Sequence, residues 1–435
     1  MLDRRTLLAA GATMMASPAF AAKGKPVNPN FPKDFLWGAS TAPHQVEGNN
    51  VASDLWFLEN QQPTVFATPS GDACNSFELW ETDLDLARDM GLNAYRFGIE
   101  WARIEPEKGL FSQAMLDHYK HIIAGCHARN LQPIVTFSHF TAPRWFSAQG
   151  GWTSADAPDL FARYCDKATR ALGDGIASAI TLNEPNLLLM LKSMLPPKVW
   201  DIQRLTLDTA AKRLGVPRFV AANIAGLDDL ADLQKGLLAG HKSGKAAIKA
   251  VRASLPVGVS LAMMDDQAVG KASLRDRMRQ EMYGAWLDLA RADDFLGVQN
   301  YERALWTDKA RLPAPKGSTV NWSGTEVWAG SLAGAVRYAH EVAGVPILVS
   351  EHGVGTDDDA IRAALIPAAL ADLKQVMDGG VPVLGYCHWS LLDNYEWIFG
   401  YKPRFGLHDV DPATFRRTPK PSAGVLGAIA RRNAL

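Results

Sequence analysis

Long apolar runs are missing from this 435-residue chain: no stretch reaches the roughly 18 uninterrupted apolar residues that a membrane span requires. Once any leader is removed, membrane insertion is therefore not expected. A dominant charge is missing too. The formal net charge is −1, so no global field draws the protein to nucleic acid or to an anionic surface. Cysteine is scarce and scattered: Cys74, Cys126, Cys165 and Cys387 form no CxxC pair, which removes the usual metal-ligand spacing and any disulfide framework. They read as buried thiols. No low-complexity run, internal repeat or linker breaks the chain, so one domain is expected. Two weak motifs also fail. "GHKSGKA" (240–246) has the wrong glycine spacing for a phosphate loop and no Ser or Thr after Lys245. "TDDD" (356–359), near His352, reads as aspartates opening a helix rather than as a metal site. Nothing implies a metal or a cofactor.

What is present begins with a leader. Residues 1–21 combine a basic start, a short apolar run from Leu7 to Ala16, and Ala19-Phe20-Ala21 before an expected cut. Adjacent Arg4 and Arg5 suggest the twin-arginine route, with a Sec signal as the alternative. The mature chain (22–435) is then expected in a periplasm or outside the cell.

Short apolar or β-branched runs recur at 35–40, 93–99, 132–138, 178–184, 257–263, 295–301, 346–351 and 383–390, with helical patterns between them. Residues 77–92, 114–130 and 158–174 carry apolar side chains at three- and four-residue spacing, as helices packed on a sheet require. Eight strands alternating with helices predict a parallel sheet closed into a single (β/α)8 barrel. Active sites of such barrels lie at the C-terminal ends of the strands, so polar residues there are candidates.

Those ends are one-sided in composition. Gln45 and Glu47 follow the first run, Arg96 lies in the second, and His139 ends the third. Asn183 and Glu184 end the fourth, Asn300 and Tyr301 the sixth, and Glu351 the seventh. The eighth leads into Trp389, Glu396 and Trp397. Carboxylates, amides, histidine and tryptophan are the groups that hold sugar hydroxyls and stack on sugar faces. Paired carboxylates suit glycoside hydrolysis, one protonating the leaving oxygen and the other serving the anomeric carbon. A separation of about 5–5.5 Å gives retention and ~6.5–9.5 Å inversion. Residue spacing alone leaves both open.

The motifs narrow this. "FPKDFLWGASTAPHQVEG" (31–48), "GLNAYRFGIEWARIEPEKG" (91–109), "TLNEPN" and "GYCHWSLLDNYEWIFGYKPRFGLHDVD" (385–411) resemble the signatures of glycoside hydrolase family 1, the β-glucosidase-type retaining enzymes. The resemblance covers essentially all of the mature chain. It implies Glu184 as acid/base and Glu351 as nucleophile, with Arg96 and Tyr301 positioning Glu351. Asn183 would hold the sugar 2-hydroxyl. Gln45, His139, Glu396 and Trp397 would bind the other hydroxyls of the non-reducing sugar, above a stacked Trp389, and Tyr301 would also contact substrate. Arg96 is expected to lower the pKa of Glu351, and the charge of Glu351 to keep Glu184 protonated. Alternatives within this chemistry are transglycosylation and a β-galactoside or β-fucoside glycon; a sugar-binding protein without catalysis is opposed by the two intact glutamates.

Several positions depart from the family pattern: His352 follows the nucleophile where Asn is usual, Phe140 and Asn186 replace tryptophans, and "GVQNY" replaces "GINYY". These bear on substrate preference rather than on reaction type. Glu396 would repel a phosphate, so an unphosphorylated sugar is expected. Residues 185–200 are strongly apolar, and some seventy residues separate Glu184 from the next strand. Part of that excess is expected to line the aglycone side, in room opened by Asn186, or else to pack only on its own helices.

Overall fold

The computed structural model describes residues 29–435; the leader at 1–21 and the expected mature start at Ala22 lie outside the described residues. All eight expected strands form. We number them β1 (Leu36–Ser40), β2 (Ala94–Gly98), β3 (Gln132–Ser138), β4 (Ser178–Asn183), β5 (Val257–Ala262), β6 (Phe295–Asn300), β7 (Ile347–His352) and β8 (Val383–Trp389). Each pairs in parallel with the next, and β8 returns to β1 to close the barrel. Among the described residues no helix is long and apolar enough to cross a membrane.

The helices that follow the strands include α1 (Ser76–Asp89), α2 (Gln113–Ala128), α3 (Ala157–Leu172) and α4 (Leu230–Val251). After them come α5 (Ala285–Ala290), α6 (Ser331–Ala343), α7 (Asp359–Asp378) and α8 (Pro421–Arg432). Helix α3 shows why they form: Pro158 stands in its first turn, and Leu160, Phe161, Tyr164, Cys165, Ala168 and Leu172 bury one face. That face meets α4. A methyl on Gly244 would sit 2.6 Å from the Phe161 ring, so the glycines of "GHKSGKA" serve helix packing. Lys245 donates to Asp293 at 2.8 Å. Asp293 also faces His241 Nε2 at 3.1 Å, and His241 Nδ1 lies 2.6 Å from Thr181 Oγ1. This buried chain clamps the outer face of β4. In "TDDD", Asp358 caps α7 by accepting from the Ala360 N–H at 3.0 Å.

Inside the barrel, side chains stack in layers. Leu36, Ala94, Ile134, Ile180, Phe295, Leu348 and Cys387 plug the lower part. Each fully buried Leu or Ile there contributes roughly 1.5–3 kcal/mol. Above them the lumen turns polar: Ser260 and Ser350 hydroxyls lie 2.6 Å apart, and Ser40 donates to the Ser350 carbonyl at 2.7 Å. All four cysteines are buried free thiols.

Three ladders break register, and two of the breaks lie just below polar strand ends. The β4–β5 ladder slips between Ile180 and Asn183, and the β6–β7 ladder slips so that Val298 pairs with Val349 but Gln299 with Glu351. A bulge re-aims the side chains that follow it. Here the slips turn Asn183 and Glu351 into the lumen.

Candidate active site

A cavity of about 820 Å³, including its open mouth, lies at the C-terminal ends of the strands. Glu184, Glu351, Gln45, His139, Asn183, Tyr301, Trp389, Glu396 and Trp397 all line it. Arg96 lies beneath. Every site residue expected from the sequence is thus brought to one place.

Glu351 is held on both oxygens. Arg96 Nη1 donates to Oε1 and the Tyr301 hydroxyl to Oε2. Arg96 is wholly buried, so its charge must be paired, and its other nitrogen donates to Asn183 Oδ1 at 2.5 Å. Gln299 Nε2 donates to the same Asn183 oxygen at 2.6 Å and to Ser260 Oγ at 2.8 Å. With its oxygen occupied twice, Asn183 has only its N–H groups to offer a ligand.

Glu184 stands differently. Its backbone has φ 43°, a left-handed conformation for a residue with a side chain. Its N–H donates to the Ser260 carbonyl at 2.8 Å, which anchors the turn to β5. Such a residue stores roughly 1–3 kcal/mol of strain and persists where the surroundings impose it. Phe140 and Trp397, also at the cavity, share positive φ. Burial, then the Glu351 charge, hold the Glu184 carboxyl well above the ordinary glutamate range. For Glu351 the expected lowering by Arg96 is present but does not decide the balance. Burial raises its pKa, and Arg96 and Tyr301 offset this only in part. The ordering survives: among the described residues Glu351 has two donors for its anion and Glu184 has none, so Glu351 ionises first.

At the cavity's inner end, Trp389 Nε1 donates to Glu396 Oε1 at 3.2 Å. Burial keeps Glu396 well above its usual range. Gln45 spends its amino group on Asn394 Oδ1 (2.9 Å) and the Tyr395 carbonyl (2.7 Å), and its buried Oε1 has no partner among the described residues. The ring of His139 stacks between Trp389 and Trp397 at 5.9 and 6.2 Å. Burial and Arg96 hold its pKa well below the imidazole range, so the ring is neutral, and Nδ1 is buried without a partner among the described residues. Orphaned buried polar atoms are uncommon, so both are free to bond a ligand in the cavity.

Other strand-end polar groups lie elsewhere. Glu47 is held by Arg103 at 2.8 Å and by the Tyr119 hydroxyl at 3.1 Å. Asn300 clamps the Met263 carbonyl (2.8 Å) and Ser331 of α6 (2.7 Å). His352 Nδ1 faces the Tyr386 hydroxyl at 2.9 Å, and that hydroxyl faces His388 Nδ1 at 3.1 Å. Burial pushes His352 down to about 3, so it is a neutral packing residue. Asn186 opens no room. Its amide donates to the Ala262 carbonyl at 2.8 Å and accepts from the Ala262 N–H at 3.1 Å, an added rung between the ends of β4 and β5.

Sequence reading missed Gln299, whose signal lay in the polar run Gln299-Asn300-Tyr301, and it missed Met263, Met264 and Phe405 in the cavity wall. The apolar segment after β4 serves two surfaces: Leu187, Met190, Leu191 and Met194 line the cavity, the first three of them also packing on the core, while Leu188, Leu189 and Leu195 pack against the core alone.

The sequence profile described as Glycosyl hydrolase family 1 matches residues 27–207 and 289–435. The chain is 30% identical to a β-glucosidase of Agrobacterium sp., over 92% of this chain and 95% of that one. It is 27% identical to β-glucosidase A of Thermotoga maritima, over 93% and 98%. Among solved structures, β-glycosidase BGL167 superposes with a TM-score of 0.88 at 43% identity, covering 94% of this chain and 98% of that one. The apo structure of a β-glucosidase called 1317 gives 0.89 at 38%, covering 92% and 99%.

Proposed function

The chain belongs to glycosyl hydrolase family 1 and is a glycosidase, and from that premise we propose that it is an exported retaining β-glucosidase acting through a covalent glycosyl-enzyme. The observation that carries the reading is the asymmetry of the two carboxylates. Glu351, with both oxygens bonded and its charge paired to Arg96, is fixed as an ionised nucleophile aimed into the cavity. Glu184, raised by burial and by that charge, is the proton donor.

The steps follow from charge. Glu351 attacks the anomeric carbon while Glu184 gives its proton to the departing oxygen. Formation of the ester removes the Glu351 charge, and the group that held Glu184 protonated is gone. Glu184 then takes a proton from water, which attacks the same carbon from the face the aglycone left. Asn183, restricted to donation, gives a hydrogen bond to the adjacent sugar hydroxyl. Gln45 Oε1 accepts one, and Glu396 and neutral His139 complete the grip on a terminal, unphosphorylated sugar. Residues 1–21 direct export, after which the mature chain works in the periplasm or medium.

NMR of the first product formed from an aryl β-glucoside tests the mechanism. The β-anomer appearing first supports it, and the α-anomer appearing first overturns the covalent step. Fractionation of cells carrying the full chain and a chain without residues 1–21 tests export. Equal cytoplasmic retention of both would refute it.

A further inference from the structure

The cavity has two chemically different halves, and the outer one is where a leaving group must lie if Glu184 protonates the departing oxygen. We propose that this outer half is built for a bulky apolar aglycone, so that the substrates are β-glycosides of hydrophobic alcohols rather than oligosaccharides. This deepens the β-glucosidase reading and rests on it.

One wall comes directly after the acid. Leu187, Met190, Leu191 and Met194 line the cavity, at positions i, i+3, i+4 and i+7 of the short helix Leu187–Leu191 and the turn that continues it. That spacing puts all four on one face. The Met194 N–H donates to the Leu191 carbonyl at 2.9 Å, which carries the turn forward. Met263 and Met264 add to this side just past β5. The other wall is aromatic. Tyr301 and Phe405 line it, edge-on to each other at 5.7 Å, whereas Trp322, edge-on to Phe399 at 4.8 Å, stands outside the lining. Trp322 and Phe405 close on the same point: a methyl on Gly355 would meet them at 2.3 and 2.9 Å. The aromatic side of the cavity is therefore Tyr301 and Phe405, with Trp322 packed beside Phe405.

Besides Glu184 and the Tyr301 hydroxyl, which is bonded to Glu351, the polar group of this half is a single carboxylate. Glu302 lines it, and its carboxylate is already paired with Arg311 at 3.0 Å. A second sugar would bring several hydroxyls against methionine and leucine, and each one left unpaired weakens binding. An apolar alcohol brings none. Met194 is 37% exposed, so this chain spends apolar surface at the mouth of its cavity that a ligand would cover. Methionine adapts to irregular apolar shapes, which suits bulky aglycones of differing outline.

The test is kcat/KM across methyl to octyl β-glucosides, kept below the micelle concentration, with cellobiose and p-nitrophenyl β-glucoside alongside. From ethyl upward the leaving alcohols differ little in acidity, so Glu184 serves them equally and the slope reports the outer wall. We expect about two- to fourfold gain per methylene, and octyl glucoside to exceed cellobiose. Met194→Gln and Leu191→Gln should each flatten the slope. A flat series, a preference for cellobiose, or a slope unchanged in both variants would overturn the proposal. If p-nitrophenyl β-glucoside itself is not turned over, it is the β-glucosidase reading that fails.

Discussion

The inner and outer ends of the cleft are built on opposite plans. At the inner end each polar atom is placed by a strand and held by another polar atom: Arg96 to Glu351 and Asn183, Gln299 to Asn183 and Ser260, Trp389 to Glu396. At the outer end almost nothing is hydrogen-bonded. Leu187, Met190, Leu191 and Met194 hang from an inserted segment, and Phe405 from the loop after β8. Directional bonds fix atoms to within tenths of an ångström, which bond-making requires. Dispersion contacts tolerate a range of shapes, which leaving-group diversity requires. Glu184 stands on the boundary, on a left-handed residue that ends β4 and begins the insertion.

If the inner end is a single bonded unit around one nucleophile, its removal has the largest effect of any change. Glu351→Ala should lower kcat by at least a hundredfold. Azide or formate should restore part of the turnover and give the inverted product, seen by NMR. Residual activity above a hundredth of wild type would place the nucleophile elsewhere. Glu184→Gln should separate the two ends. Glycosides of poorly acidic alcohols should lose roughly 10²–10⁴-fold, whereas those of acidic phenols should still accumulate glycosyl-enzyme, detectable as a mass increase. Equal losses on both would point to another acid.

A smaller change sharpens the electrostatic half of the contrast. Tyr301→Phe removes a donor from the Glu351 anion while leaving Arg96 in place. A group whose anion loses a donor titrates higher, so the acid limb of the kcat/KM profile should move to higher pH. The alkaline limb belongs to Glu184 and should stay. At the optimum the loss should be roughly ten- to hundredfold, the scale of one hydrogen bond to a charge. A shift of the alkaline limb alone would reverse the assignment of the two glutamates.

The same contrast explains what the sequence discloses. Strand positions follow from apolar runs, and the polar residues at their ends stand out against those runs, so all eight strands and the inner-end residues are legible. What a side chain faces is not. Gln299, Asn300 and Tyr301 are three consecutive polar residues, yet Gln299 points into the lumen, Asn300 clamps α6 and Tyr301 reaches Glu351. Period-two alternation separates the first two, but the register slips at β4 and β7 leave no mark in composition. The departures at His352 and Asn186 read as substrate determinants because neighbours in sequence are easily taken for neighbours in the cavity. Both instead turn away from it, His352 to Tyr386 and Asn186 to the β5 backbone. The net rise of Glu351 was hidden for another reason: the sequence names Arg96 as a partner but gives no measure of burial.

The smallest predicted effect tests whether the two ends are mechanically joined. Asn186, two residues past the acid, is fully buried and bridges them, its amide bonded to both the N–H and the carbonyl of Ala262. Asn186→Ala strips both bonds at once and leaves two buried backbone groups without that partner. The expected cost is about 1–3 kcal/mol of stability, read as a lower urea midpoint at unchanged slope. Because the first turn of the insertion starts at this residue, loosening it should also blunt the alkyl-glucoside slope of the outer wall. The inner end is braced separately, through the Glu184 N–H to the Ser260 carbonyl and through Arg96 and Gln299 to Asn183. Turnover of p-nitrophenyl β-glucoside should therefore fall less than about tenfold, the equivalent of 1.4 kcal/mol. A variant as stable as wild type would show that the rung carries no load. A loss of turnover as large as that of Glu184→Gln would show that the inner end depends on the insertion after all.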